Sequence, residues 1–86
     1  MRLGQGFRDK LMSTLVAMGH ACEEVHLEVT PEGRVAGHIV SDAFRGKTQM
    51  HRQHQLWKEL RQRLTRAELA RIVALLTVTP AEIADD

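Results

Sequence analysis

The chain has one cysteine, Cys22, so no internal disulfide forms and no all-protein cysteine-rich zinc site can be assembled. Two Phe, one Trp and no Tyr supply the aromatic mass, which leaves the core to Leu, Val, Ile and Met. No apolar run approaches the ~20 residues that a membrane span needs. The first residues, Met1-Arg2-Leu3-Gly4-Gln5-Gly6, hold no signal-peptide apolar core. These absences lead to the expectation of a soluble, cytoplasmic protein in a reducing compartment, with no membrane partner. There is no excess of one charge: the net is +1, which by itself names no partner. There is also no repeat, low-complexity tract or linker. With 86 residues, the chain is read as a single domain, 1–86, of marginal stability. Its 43% hydrophobic content is enough for a packed core and argues against wholesale disorder.

What is present falls into segments. Phe7, Leu11, Leu15, Met18 and Cys22 recur at helical spacing, widened by Met12 and Val16. This predicts an amphipathic helix over about 5–19, stopped at Gly19. Cys22, on the extension of that stripe, is expected to be a small buried hydrophobe. His20 at the helix end reads as structural, since imidazolium favours the negative end of the dipole. Val25, Leu27 and Val29 then alternate with His26 and Glu28, the pattern of a half-buried strand. Thr30-Pro31-Glu32-Gly33 is a tight turn, and Val35–Val40 the returning strand, so residues 24–41 form a hairpin. His26 and His38 would meet across it as ordinary sheet-surface residues if their face is the exposed one.

Ile39-Val40-Ser41-Asp42-Ala43-Phe44-Arg45-Gly46-Lys47-Thr48 joins this strand to a basic helix. A Gly-Lys-Thr at a helix start sets free backbone N–H groups beside a cation, an arrangement suited to an anion. It is not a P-loop, because no Gly lies five residues before Gly46. It also lacks the second Gly of a KH-type Gly-x-x-Gly clamp. Gly46 is first of all a turn or helix-start glycine. From about Thr48 to Leu64, residues Met50, Gln53, Leu56, Trp57, Leu60 and Leu64 share one face. His51, Arg52, Lys58, Arg61 and Arg63 lie largely on the other. The pattern leaves open whether a turn near Met50–Arg52 interrupts this helix. Trp57 is placed in the core by its Leu neighbours.

After Leu64 the pattern is ambiguous. Thr65 to Glu68 is a capping box, and Leu69, Ile72, Val73 and Leu76 suit a helix. Ile72–Val78 is equally an apolar run of strand length. Thr79-Pro80-Ala81-Glu82 is clearer: a Thr cap, Pro at the first helical position and Glu at the third open a short final helix. Asp85 and Asp86 should fray.

Candidate chemistry is sparse. Arg45, Lys47, Arg52, Lys58, Arg61, Arg63 and Arg66 fall within about twenty residues, opposed mainly by Glu59, so the rest of the chain is net acidic. Such a patch is either a solvated helix face or a surface for phosphates. His51 and His54, three apart, share one side of a helix. That spacing suits weak metal binding or a pH-dependent contact, but no nearby carboxylate or Cys completes a ligand set, so plain surface histidines are the simpler reading. Ser41 and Cys22 have no matched His relay, and there are no paired catalytic carboxylates, so an enzyme with a small-molecule substrate is not expected.

Val40-Ser41, Phe44-x-Gly46-Lys47-Thr48, Arg52, Ala74-Leu75 and Thr79-Pro80-x-Glu82 occur in an order and spacing that resembles the BolA family, most closely from Val35 to Glu82. The resemblance implies an α+β fold, α-β-β-α-α-β-α, similar to the class II KH fold, with Ile72–Val78 as the third strand of a mixed sheet beside the second strand. It implies no catalysis. It implies two activities: DNA binding in stress-related transcription regulation, and partnership with a monothiol glutaredoxin around a shared [2Fe-2S] cluster in iron–sulfur assembly or iron homeostasis. On the first, Arg45, Gly46, Lys47, Thr48, Arg52, Lys58, Arg61 and Arg63 would contact nucleic-acid phosphates. On the second, the chain departs from the family. Arg52-Gln53 stands where the family has Arg-His, with His54 one place later. Val73 replaces the family's His ligand, and the hairpin loop that carries another ligand is cut to Thr30–Gly33. Val, Gln, Glu and Pro are not soft cluster ligands. No cofactor is therefore assigned with certainty, and a glutaredoxin would dock without the usual ligand set.

Overall fold

A computed structural model describes residues 5–84. The expectation for Asp85 and Asp86 lies outside them. Helix α1 spans Gln5–Ala17, strand β1 Val25–Val29, strand β2 Val35–Val40 and helix α2 Gln49–Arg63. Helix α3 spans Arg66–Leu69, strand β3 Ile72–Val78 and helix α4 Pro80–Ala84. Single 3-10 turns stand at Cys22–Glu24 and Asp42–Phe44. The sheet order is β1-β2-β3, with β1 antiparallel and β3 parallel to β2. The fold is thus a small α+β domain on a three-stranded mixed sheet, and the third strand lies beside the second.

Local chemistry sets the ends of the elements. Helix α1 closes with His20 N–H donating to Leu15 O at 3.1 Å and Gly19 N–H to Val16 O at 3.0 Å. This is a Schellman closure, and it ends the helix at Ala17, slightly before the expected stop. The hairpin turn is held by Gly33 N–H to Thr30 O at 2.9 Å. Thr48 Oγ1 accepts from His51 N–H and caps α2, which runs unbroken to its C-cap at Leu64. Thr65 and Glu68 bond reciprocally as the capping box that opens α3. At α4 the Thr79 hydroxyl accepts from Glu82 N–H, while the Glu82 carboxylate accepts from Thr79 N–H.

The core lies on one face of the sheet. Phe7, Leu11 and Leu15 of α1 and Leu56 and Leu60 of α2 bury against Val25, Leu27, Val35, Ile39, Ile72 and Leu75. Each such aliphatic side chain contributes roughly 1.5–3 kcal/mol of transfer free energy. Helix α1 rests on β1 and α2 on β3. Gly37 faces Leu27 across the hairpin, and a Cβ there would stand 2.1 Å from His26 O. Only the residue without a side chain lets β1 approach so closely.

Four expectations need correction. Cys22 is exposed, not buried: the helix ends five residues earlier, so the stripe does not extend to it. Val16 is 44% exposed and does not widen the apolar face. Met50, assigned to the apolar side of α2, is 83% exposed. The first turn of α2 meets β3 through polar side chains instead, since Gln49 Nε2 donates to Thr77 O and Gln53 Nε2 to Leu75 O, both at 2.7 Å. The largest correction concerns Arg52.

Candidate nucleic-acid interface

The junction after β2 is built from Ser41 and Phe44. Ser41 Oγ accepts from Ala43 N–H and starts the 3-10 turn, and Phe44 drops into the core. Gly46 follows at φ 78°, a left-handed conformation that favours glycine, and open space surrounds the position a Cβ would take. The glycine therefore serves the turn, as its structural reading holds.

Arg52 does not join the exposed basic face. It is 5% exposed. Its Nε donates to Lys47 O at 2.9 Å, and its Nη1 donates to Thr77 O at 3.1 Å. Its two Nη groups fork onto the Glu82 carboxylate at 2.9 and 3.2 Å. The guanidinium also stands 5.8 Å from the centre of the Phe44 ring. Arg52 thus ties the junction, β3 and α4 together, with every arm of its fork engaged. The hydrogen bonds from Arg52, then that from Thr79 N–H, hold the Glu82 carboxyl below its usual range. A phosphate contact at Arg52 would require breaking this cluster.

Arg52 belongs to a larger device. Gln49, Arg52 and Gln53 together satisfy the outward carbonyls of Leu75 and Thr77, so α2 covers the free edge of β3. An unpaired edge would otherwise invite pairing with another chain. Gln53 also accepts from Trp57 Nε1 at 3.0 Å, which orients the half-buried indole against the core. Gln53 stands where the resembled family has His, and here it is a structural donor to β3.

The other cations behave differently. Lys47, Lys58, Arg61 and Arg63 are exposed and carry no ion pair among the described residues. His51, His54, Lys58 and Arg61 follow one another along the outward stripe of α2 at helical spacing. Arg63 stands at its C-terminal end, and Lys47 just before its start. Fifteen residues give α2 a length of ~22 Å, so this edge spans several phosphates of a nucleic-acid backbone. Arg45 is exposed but bonded to Asp42 at 2.8 Å, so a phosphate must compete with that carboxylate. Thr48 Oγ1 accepts from His51 N–H as the helix cap, which fixes the hydroxyl's place at the start of α2 and leaves its O–H to donate.

Below this edge, a cleft of about 260 Å³ opens between the end of α1, the junction and α2, lined by His20, Phe44, Lys47, Arg52 and Glu59 among others. His20 sits 6.0 Å from the Phe44 ring. Burial holds its imidazole below the ordinary value, partly offset by Glu59 and Glu24. The sequence offered no signal for this cleft, since its walls come from three separate segments. His51 and His54 share a shallow surface with Thr48 and Met50. No group of three or more His, Cys, Asp or Glu among the described residues is placed to hold a metal. No described helix is long and apolar enough to cross a membrane.

No protein-family model, no curated protein and no solved structure matches the chain.

Proposed function

We propose that the chain is a non-enzymatic, BolA-like regulatory module that binds duplex nucleic acid through phosphates, using Lys47, Lys58, Arg61 and Arg63. The observation that carries this reading is the exposure of these four cations, Lys58 and Arg61 on the outward stripe of α2, Arg63 at its C-terminal end and Lys47 just before its start, without ion-pair partners among the described residues. The charge balance supports it: seven of the twelve basic residues, but only one of the eleven acids, fall between Arg45 and Arg66. A domain of net charge +1 thereby presents a positive side and an acidic remainder, which orients it toward a polyanion. Four phosphate contacts position a protein without reading sequence, so binding is of low base specificity. Arg52 is left out of the contact set.

The second reading, a glutaredoxin partner around a shared cluster, loses support at Val73. That residue is 56% exposed at the start of β3, and its methyl groups offer no ligand.

A chemical-shift titration tests both. Duplex DNA at low salt should move the amides of Lys47, Lys58, Arg61 and Arg63 and spare β1. No shift along α2 at low salt sinks the first reading. Adding a cluster-loaded monothiol glutaredoxin and recording visible circular dichroism tests the second. A changed spectrum with co-elution on a sizing column would restore it.

A further inference from the structure

The open face of the sheet carries a feature that the cationic edge does not use. Val25, Leu27, Val35 and Ile39 point into the core, so the alternate positions of both strands face outward. His26 and His38 occupy two of these positions and are direct partners in the β1–β2 ladder. Their rings stack with centroids 4.6 Å apart and planes 21° from parallel. Neither ring is hydrogen-bonded to a described residue. Glu28, two places along β1, is on the same face and lines the same shallow cleft of about 220 Å³. Arg8 also borders the cleft, but its Nε donates to Leu27 O at 3.2 Å and its Nη1 lies 3.4 Å from Asp9. Arg8, the cation among the described residues that line this cleft, is thus drawn toward the β1 edge.

We propose that His26 and His38 form a bidentate site for a divalent transition metal of the zinc, nickel or copper class. Imidazole suits these ions. Metal–nitrogen bonds of ~2.0–2.1 Å in a tetrahedral site put two coordinating nitrogens ~3.3 Å apart. The rings, 4.6 Å apart, now stack with their in-plane lone pairs side by side; rotation about χ1 and χ2 swings both out of the stack so that one nitrogen of each converges on the ion, with the backbone fixed by the ladder. The pairing is the sheet equivalent of two histidines one helical turn apart: directly opposed residues bring their Cβ atoms within ~5.5 Å. Two protein ligands leave the remaining positions to water, with the Glu28 carboxylate close enough along the strand to offset the added charge. The site is separate from the position of the family ligand. Val73 adjoins Ile72, which pairs with Val35, whereas His38 pairs with Leu76 further along the sheet. It is also separate from His51 and His54 on α2.

Zinc chloride added to the intact chain near neutral pH provides the test. Calorimetry should show saturable, one-to-one binding, and the ring protons of His26 and His38 should shift together while those of His51 and His54 stay. A ligand that binds only the folded state also raises the thermal midpoint. His26→Ala and His38→Ala, or His26→Gln should the alanine variant fold poorly, must each abolish the heat and the midpoint shift. His51→Ala/His54→Ala must leave both intact. No heat at millimolar zinc overturns the proposal. So does binding that survives His26→Ala, or binding that disappears with the α2 pair instead. The cationic edge plays no part in these readouts, so failure here leaves the nucleic-acid reading standing.

Discussion

Arg52 and Arg61 lie on one helix, nine residues apart, and do opposite things. The N-terminal part of α2 is consumed by the fold: Gln49, Arg52 and Gln53 all spend their donors on β3, and Arg52 also holds Glu82 of α4. In the C-terminal part, Leu56 and Leu60 stay in the core while the cations are left to solvent: Lys58, Arg61 and Arg63 have no ion-pair partner among the described residues. A run of basic residues is therefore not one surface. The face of the helix as well as the position along it decides whether a cation is a brace or a contact, and the carboxylate that pairs Arg52 lies thirty residues away.

The largest effect should come from the brace. Arg52→Ala leaves the Thr77 and Lys47 carbonyls short of a donor and the Glu82 carboxylate without its fork, and is expected to cost about 2–3 kcal/mol in urea unfolding. The folded fraction should bind DNA as the wild type does. An Arg52 variant of unchanged stability but weakened DNA binding would reverse the roles assigned to the two regions.

Gln53→Ala should cost about 1 kcal/mol, because one carbonyl of the β3 edge and the indole N–H lose a partner and water reaches both in part. Unfolding midpoints compared with Gln62→Ala, an exposed residue of the same type, separate this from helix propensity. Equal costs at both positions would erase the distinction between the two parts of the helix.

Acid reports on the brace more gently. The folded-state carboxyl of Glu82 is lowered by Arg52 first and by Thr79 N–H second. Its contribution is therefore complete above the ordinary carboxylate value and is lost as pH falls through the lowered one. Glu68, lowered by its hydrogen bond from Lys10 and by Thr65 N–H, has the same sign. His20, lowered by burial, also favours the folded state above its ordinary value and opposes it as pH falls below. Thermal midpoints should decline on acidification from neutral pH, with Glu82→Gln flattening only the carboxylate part. A midpoint that rises on acidification contradicts these assignments.

The smallest effect on stability belongs to the contact region. Lys58→Ala/Arg61→Ala/Arg63→Ala should change unfolding free energy by about 0.5 kcal/mol or less, as surface substitutions do. A larger loss would mean that these cations brace the fold after all.

Much of the fold is legible in the sequence because its signals are local. The Thr30–Gly33 turn, the Thr65–Glu68 capping box and the Thr79-Pro80-x-Glu82 start each act within four residues. Strand β3 resists periodicity for a physical reason. A register shift opposite Val35 and Ala36 leaves Val73 and Ala74 both outward, so the alternation of a strand is broken where it would be read. Resemblance, not pattern, assigned that segment. Cys22 escapes the helical stripe because the stripe's spacing runs on past Gly19, where the helix has already ended. Arg52 stands four and eight residues before Leu56 and Leu60, so helical spacing itself sets it on the buried face of α2; its charge masks that signal, and the carboxylate that pairs it is thirty residues away. The stacking of His26 on His38 was foreseeable as a meeting across the hairpin, but its ring geometry was not.

The salt dependence of duplex DNA affinity tests the central division most directly. Four phosphate contacts predict log affinity falling against log salt with a slope of about −3.6, reduced to about −0.9 when Lys58, Arg61 and Arg63 are replaced together and only Lys47 remains. Affinity that is absent at low salt, or a slope that the triple replacement leaves unchanged, would contradict the account.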